Sequence, residues 1–108
     1  MPGTTIPRGN VLITKLFATT LTPAQVAANT TAEQTFTIQG LAVGDYINTN
    51  FSGAQTAGIF IANCRVSATN TVSISFGNCT GGALTPVSGT YGFIYGRSEN
   101  SPLPTDAT

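Results

Sequence analysis

The fold of this chain is decided by residues 59–78, which read IFIANCRVSATNTVSISFGN. On each side of the centre, apolar residues recur with one parity: Phe60, Ala62, Cys64 and Val66 first, then Val72, Ile74 and Phe76. Both sets must face the same core, because a slip of one residue would send them to opposite faces of a sheet. This requirement predicts a β-hairpin in which Cys64 pairs with Ile74 and Val66 pairs with Val72. The loop is then Ala68-Thr69-Asn70, with Asn70 in the left-handed conformation that asparagine tolerates.

The same period of two extends over most of the chain on both sides of the hairpin. It predicts five further short strands, at residues 11–18, 25–28, 35–38, 46–49 and 89–97. Turn residues separate these strands: Pro23 breaks a ladder because it has no amide to donate, and residues 29–31 form a turn. No window has apolar residues at helical spacing over several turns. The sequence therefore predicts an all-β fold, a single antiparallel β-sandwich (jelly-roll or Ig-like) or a small barrel.

The two ends of the chain differ from this domain. Residues 1–10 and 98–108 contain proline and few residues to bury, so they are predicted to be N-terminal and C-terminal arms around a β-sandwich domain at residues 11–97. Their composition suits contacts with neighbouring chains. The candidate interface residues come from the arms and from the strands: Ile6, Pro7, Arg8, Arg65, Tyr95, Arg97, Pro102, Leu103 and Pro104. For Arg65, solvent and a subunit interface remain equally open.

The length and net charge of the chain exclude several classes of function. The 108 residues fit one domain, and four basic and four acidic residues give a formal net charge of +0. A neutral chain has no electrostatic footprint for nucleic acid, and no apolar run is long enough to span a membrane. Near-zero charge favours association, so a homo-oligomer, a dimer or trimer, is expected. The N-terminus lacks the layout of a secretory signal, which predicts synthesis in a cytoplasm.

The reactive side chains of common enzymes are scarce. The chain has no histidine, which removes the Ser/His/Asp and Cys/His arrangements and most zinc sites. Of the four acids, Glu99 and Asp106 lie in the C-terminal arm. Glu33 and Asp45 are predicted at turn ends, where carboxylates accept backbone amides. We therefore expect no enzyme, no catalytic residue, no bound metal and no cofactor.

The two cysteines are predicted to be free thiols. With Cys64 opposite Ile74, Cys79 lies five residues further along, about 16 Å away and on the other face of the sheet. A disulfide needs Cα atoms within about 7 Å of each other. Cys64 is then a small core residue, as suits a protein that folds in a reducing compartment.

Aromatic side chains share one side of the last strand. Tyr91, Phe93 and Tyr95 alternate there and lead to Arg97. They can be read as a platform for stacking sugar rings, or as half of a sandwich core with Arg97 at its exit. The core interpretation is favoured.

Three segments resemble a known class of small β-domain. They are QVAANTTAEQTFTIQGLAVGD at residues 25–45, RVSATNTVSISF at 65–76 and PVSGTY at 86–91. Together they resemble a domain of virion proteins of tailed bacteriophages, found in capsid decoration (cement) proteins and as a fibre module. The resemblance covers roughly residues 20–97 and consists of turn and strand residues. It includes no counterpart of Cys64 or Cys79, and none of the arms.

The resemblance implies a non-enzymatic structural role in a bacteriophage virion. The expected protein is a decoration protein on the capsid surface, made in the host bacterial cytoplasm. Its expected partners are the major capsid protein and copies of itself, with no nucleic acid and no membrane. The main alternative is a tail or head fibre module, or receptor-binding module, that binds host-surface glycans. A bacterial surface subunit is a weaker alternative, because it needs export.

Overall fold

The computed structural model describes residues 11–99, which form six β-strands arranged in two antiparallel sheets. The strands are β1 (Val11–Leu21), β2 (Thr30–Thr37), β3 (Tyr46–Phe51), β4 (Ile59–Ala68), β5 (Thr71–Asn78) and β6 (Gly89–Ser98). Sheet I has the order β1-β6-β3 and sheet II the order β2-β5-β4. No helix occurs within residues 11–99. The predicted all-β class is confirmed, and the jelly-roll or Ig-like topology stays a prediction.

One hydrophobic core lies between the two sheets. Its buried members come from both sheets and from the connections: Leu21, Val26, Leu41, Ile59, Val66, Val72, Ile74, Phe76, Tyr91 and Phe93. The rings of Phe76 in sheet II and Tyr91 in sheet I meet edge to face, with their centroids 6.3 Å apart. Apolar residues of alternating parity therefore pack two sheets face to face, as in a small β-sandwich.

The β4–β5 hairpin has the predicted register in the half next to its turn. Cys64 pairs with Ile74 and Val66 with Val72, so both predicted pairs are confirmed. The register shifts between Ile61 and Asn63, where Ala62 is an extra residue in a β-bulge. The bulge reverses the parity of the strand before it.

The bulge corrects the prediction for Phe60. Ile59 is buried and Ile61 packs against the core, whereas Phe60 is 47% exposed on the outer face of sheet II. The predicted common parity of Phe60, Ala62, Cys64 and Val66 is therefore wrong for its first two members. Strict alternation fails there because the bulge places two residues of β4 opposite one residue of β5.

The hairpin turn is shorter than predicted. It consists of Thr69 and Asn70, because Ala68 already pairs with Thr71 and the extra residue is absorbed in a second bulge between Val66 and Ala68. Asn70 has the predicted left-handed backbone, with φ of 58°. Its backbone amide donates to the Leu41 carbonyl at 2.8 Å, which ties the turn to the connection between β2 and β3.

Three other segments, one of them the end of β1, also differ from the prediction. β1 extends through Thr20 to Leu21 and ends just before Pro23, so the break comes later than expected. Of the predicted turn at residues 29–31, only Asn29 turns, with φ of 53°, and β2 starts at Thr30. Residues 25–28 form no strand, but Val26 makes an isolated bridge with Leu84.

The two ends of the described chain lie side by side at one end of sheet I. Val11 at the start of β1 pairs with Ser98 at the end of β6. The last strand runs one residue past the predicted domain boundary at residue 97. Residues 1–10 and 100–108 lie outside the described residues.

Candidate interaction surface

The outer faces of the two sheets differ in polarity. Alternation places Thr14, Leu16 and Ala18 of β1 on the outer face of sheet I, beside Ile94 of β6 and Tyr46 of β3. Leu12 is the extra residue of a bulge at the start of β1. On the outer face of sheet II, the corresponding residues of β2 and β5 are almost all threonine, serine and glutamate. One face of the sandwich is therefore apolar and the other polar.

Large side chains on the outer face of sheet I are open to solvent. Leu16 is 75% exposed, Tyr46 68% and Ile94 47%, and Leu12 in the bulge at the start of β1 is 54% exposed. Leu16 lies directly opposite Ile94, and Tyr46 is opposite Gly96 in the neighbouring row. The one charged residue of β1, Lys15, has the opposite parity and lies off this face. Contiguous exposed apolar side chains of this kind mark interaction sites more often than isolated ones do.

A depression interrupts this face at Gly92. It has a volume of about 410 Å³, and its lining includes Leu16 and Ile94 on one side and Asn48 and Asn50 on the other. Gly92 forms its floor because it has no side chain. A Cβ atom there would lie 3.2 Å from Oδ1 of Asn50. The face therefore has both a protruding leucine and a hollow next to it.

Polar side chains on the outer face of sheet II bond to each other. The Arg65 guanidinium donates to the Glu33 carboxylate through Nε and Nη2, each at 2.8 Å, and this pair spans the central strand β5. The hydroxyls of Ser67 and Ser73 are 2.6 Å apart. The Arg65 guanidinium lowers the pKa of Glu33, chiefly through its hydrogen bonds to the carboxylate. The position of Glu33 inside β2 corrects its predicted location at a turn end.

The aromatic ring of Phe60 covers Gly77 on the outer face of sheet II. The Phe60 side chain lies over Gly77 of β5, where an added Cβ atom would collide with the ring. Phe60 thus fills the space that a side chain at Gly77 would otherwise occupy. The outer face of sheet II therefore carries polar side chains bonded within the chain and one large apolar side chain, Phe60, which is 47% exposed.

A second ion pair fixes the end of β6. The Arg97 guanidinium donates to both carboxylate oxygens of Asp45 at 2.8 Å and to the Gly40 carbonyl at 2.8 Å. The Asp45 side chain is 3% exposed and also accepts the Ala42 amide, as predicted for an acid at a turn. Hydrogen bonds from Arg97, together with the Ala42 amide and the charge of Arg97, hold the pKa of Asp45 below its usual value against the opposing effect of burial.

The aromatic residues of β6 belong to the core. Tyr91 is fully buried and Phe93 is 3% exposed, so the core interpretation is confirmed and these two rings form no sugar platform. Tyr95 is partly buried and meets the ring of Phe17 edge to face, with centroids 5.9 Å apart. The Tyr91 hydroxyl donates to the Val87 carbonyl at 2.7 Å, a contact typical of the corners of β-sandwiches.

Two of the predicted interface residues, Arg65 and Tyr95, line the same depression of about 480 Å³. Arg65 is on the polar outer face of sheet II, Tyr95 at the border of the core and Arg97 in its ion pair with Asp45. Six others lie outside the described residues: Ile6, Pro7, Arg8, Pro102, Leu103 and Pro104. The structure brings no three of the described predictions into one surface.

Both cysteines are free thiols, as predicted. Cys64 is partly buried beside the core, and burial raises the pKa of its thiol to about 11. It lies in the lining of a depression of about 480 Å³, together with Tyr46, Arg65 and Ile94. Cys79 is exposed, and its thiol donates to the Gly58 carbonyl at 3.4 Å.

Two kinds of site are not found among the described residues. Within residues 11–99, no three side chains of His, Cys, Asp or Glu lie together in a way that suits a metal ion. The same residues contain no helix of the length and hydropathy needed to cross a membrane.

Comparison with known proteins assigns no relative. No family model matches this chain, and neither does any curated protein or solved structure. The functional argument therefore depends on the surfaces described above.

Proposed function

We propose that this protein is a non-enzymatic structural component of a bacteriophage virion, a capsid decoration protein that stabilises the head by binding the major capsid protein. The observation that carries the proposal is the contrast between the two outer faces. A polar face whose charged and hydroxyl groups bond within the chain suits solvent, whereas an apolar face with the large exposed side chains of Leu16, Tyr46 and Ile94 suits a permanent neighbour.

The position of the arms supports the same role. Both arms leave the domain beside the paired residues Val11 and Ser98, at one end of sheet I. Two segments that start side by side can reach the same neighbour, so we assign contact with the major capsid protein to the arms. The apolar outer face of sheet I then remains for contacts between decoration proteins.

Charge also suits a crowded shell. The chain has four basic and four acidic residues, and four of these charges are used in the two internal ion pairs. Copies packed in a symmetric array therefore meet with little like-charge repulsion.

The role is mechanical. Each copy that bridges adjacent capsid subunits adds buried area, and this area must be exposed again before the shell opens. Heat and osmotic shock therefore test the proposal on particles with and without the protein. Particles that lack it are expected to release DNA at lower temperature, and particles restored with purified protein are expected to recover.

Copy number separates this role from the fibre alternative. A decoration protein occurs in a number comparable to that of the capsid subunits, whereas a fibre follows the few-fold symmetry of the tail. Quantitative mass spectrometry of purified particles gives this ratio. A low ratio, or unchanged resistance of particles without the protein, would contradict the decoration role. The glycan-binding form of the alternative loses its predicted platform, because Tyr91 and Phe93 are buried.

A further inference from the structure

We propose that the outer face of sheet I is a self-association surface that binds the same face of a second copy of this chain. The surface consists of β1, β6 and β3, with Leu16, Ile94 and Tyr46 as its main exposed side chains. The inference concerns the purified protein in solution, so it holds or fails separately from the virion role.

Charge makes this face compatible with itself. Its residues from the three strands are apolar, threonine, asparagine or glycine, and none is charged: Thr14, Leu16, Ala18, Thr20, Tyr46, Asn48, Asn50, Thr90, Gly92, Ile94 and Gly96. The charged residues Asp45 and Arg65 lie at its border, in the depression that Tyr46 and Ile94 also line. A charged face needs a partner of opposite sign, because like charges that meet in an interface are strongly unfavourable. An uncharged apolar face has no such requirement and meets its own copy without repulsion. A second copy can therefore bind this face without a charge penalty.

Shape also makes this face complementary to itself. In a two-fold contact, the same patch serves both partners, so a protrusion must find a hollow on the same patch. Here Leu16 protrudes, and the depression at Gly92 lies beside it. A two-fold axis parallel to the central strand β6 brings β1 of one copy over β3 of the other. Leu16 of each copy then approaches the asparagine side of the depression in its partner.

The depression is large enough for this side chain. Its volume is about 410 Å³, and an apolar cavity of about 150 Å³ already holds a benzene molecule. Asn48 and Asn50 line the side that a partner would approach. Their amides can bond to each other or to water at the margin of the contact, so burial leaves no charge unpaired.

The area of the face predicts a weak dimer. Three strands about 4.8 Å apart and six to eleven residues long give roughly 300–500 Å² of sheet. A stable interface commonly buries about 800 Å² on each partner. The face alone therefore supplies about half of this area, and the dimer is expected to form only at high protein concentration. In a shell, neighbours held close together would bind through the same face at high effective concentration.

Sedimentation of the full chain tests the inference. Wild-type protein is expected to shift from monomer to dimer between about 1 μM and about 1 mM, the range of affinity for contacts of this size. Leu16→Asp places an uncompensated carboxylate in the contact and is expected to weaken association at least about tenfold. Gly92→Ala partly fills the depression and is expected to weaken it as well.

Val43→Asp is the matched control for Leu16→Asp. Val43 is 67% exposed, close to the 75% of Leu16, and it lies in the connection between β2 and β3, away from the sheet face. This variant adds the same charge and is expected to associate like the wild type. Circular dichroism of each variant shows whether the fold is retained. Amide NMR shifts on dilution are expected in β1, β6 and β3 and not in sheet II.

Several results would overturn the inference. Wild-type protein that stays monomeric over the whole concentration range contradicts it, even if the monomer binds capsids through Leu16. A dimer that Leu16→Asp does not weaken, or that Val43→Asp weakens equally, contradicts it too. So do dilution shifts confined to sheet II, because they would place the contact on the other face.

Discussion

Asp45 is the acid most closely held by its surroundings, since Arg97 and the Ala42 amide both bind its carboxylate. Its pKa lies below the usual value of 3.8 in the folded protein. A carboxyl whose pKa falls on folding stabilises the fold above its unfolded pKa, and this contribution disappears as the pH falls through the folded pKa. We therefore expect the free energy of unfolding to decrease when the pH is lowered below about 4.

The variant Asp45→Asn isolates this contribution. Asparagine keeps an oxygen that accepts the Ala42 amide but has no charge to lose. Urea titrations at about pH 6 and about pH 3 are expected to show a smaller loss of stability for the variant than for the wild type. The pH profile is simple to interpret because the chain has no histidine. The matched variant Glu33→Gln, at a more exposed pair, is expected to change the profile less. Equal profiles for wild type and Asp45→Asn would contradict the assignment.

Gly77 and Phe60 depend on each other at the surface of sheet II. In Gly77→Ala, the new Cβ atom occupies the space of the Phe60 ring, which has to swing into solvent. We expect this change to lower the free energy of unfolding by about 1–2 kcal/mol. In a Phe60→Ala background the conflict is gone, so the same change is expected to be neutral or stabilising, as for glycine replaced in a strand.

A strand glycine without this conflict serves as the control. A Cβ atom at Gly96 would meet the Ile13 carbonyl oxygen at 3.7 Å, an ordinary contact distance. Gly96→Ala is expected to leave the unfolding midpoint in urea almost unchanged at low protein concentration. Additive effects of Gly77→Ala and Phe60→Ala in the double-variant cycle would show that the two residues do not interact.

The β4–β5 turn depends on Asn70 in two separate ways. Its backbone is left-handed, and its side-chain oxygen accepts the Gly40 amide at 2.8 Å. Asn70→Asp keeps an acceptor and is expected to stay close to the wild type. Asn70→Gly loses the hydrogen bond at a cost of about 1 kcal/mol, and Asn70→Ala adds backbone strain for a total of about 2 kcal/mol. Thermal unfolding that ranks glycine below alanine would contradict this separation.

At the scale of strands, alternation predicted most of what the structure contains. Parity alone predicts the residue pairs next to the hairpin turn. It also predicts that Tyr91 and Phe93 are buried. Parity failed at Ala62, because nothing in IFIAN distinguishes a regular strand from one with an extra residue. It also failed at Thr30 and Thr31, because threonine suits both strands and turns. Bulges depend on how the partner strand is aligned, and the order of residues within one strand does not encode that.

The candidate surface was harder to predict than the core. The signal was present in β1, where VLITKLFA has apolar residues on both faces, and one face had to remain uncovered. Which face that is depends on the strand order β1-β6-β3, since Tyr46 and Leu16 are far apart in sequence. The sequence predicts Arg97 as an interface residue and does not reveal its ion pair. Its partner Asp45 is 52 residues away in sequence and directly precedes the neighbouring strand β3.

At the scale of the whole molecule, the fold is held without any covalent link between its sheets. Cys64 and Cys79 are both free, so the unfolding midpoint is expected to be the same with and without a reducing agent. Labelling with a thiol reagent at neutral pH is expected to modify Cys79 first. Cys64 is expected to react slowly, because it is partly buried and the pKa of its thiol is about 11. A midpoint that falls on reduction would indicate a disulfide and contradict this expectation.

The antiparallel pairing of Val11 with Ser98 determines how the domain responds to force. When the two termini are pulled apart, the force acts on one pair of β1–β6 hydrogen bonds at a time. The two strands therefore separate at low force. Tension shared by both termini in the same direction loads the two strands in parallel and leaves their ladder intact. A fold tethered by both ends to one support would therefore resist a pull far better than one stretched between two supports.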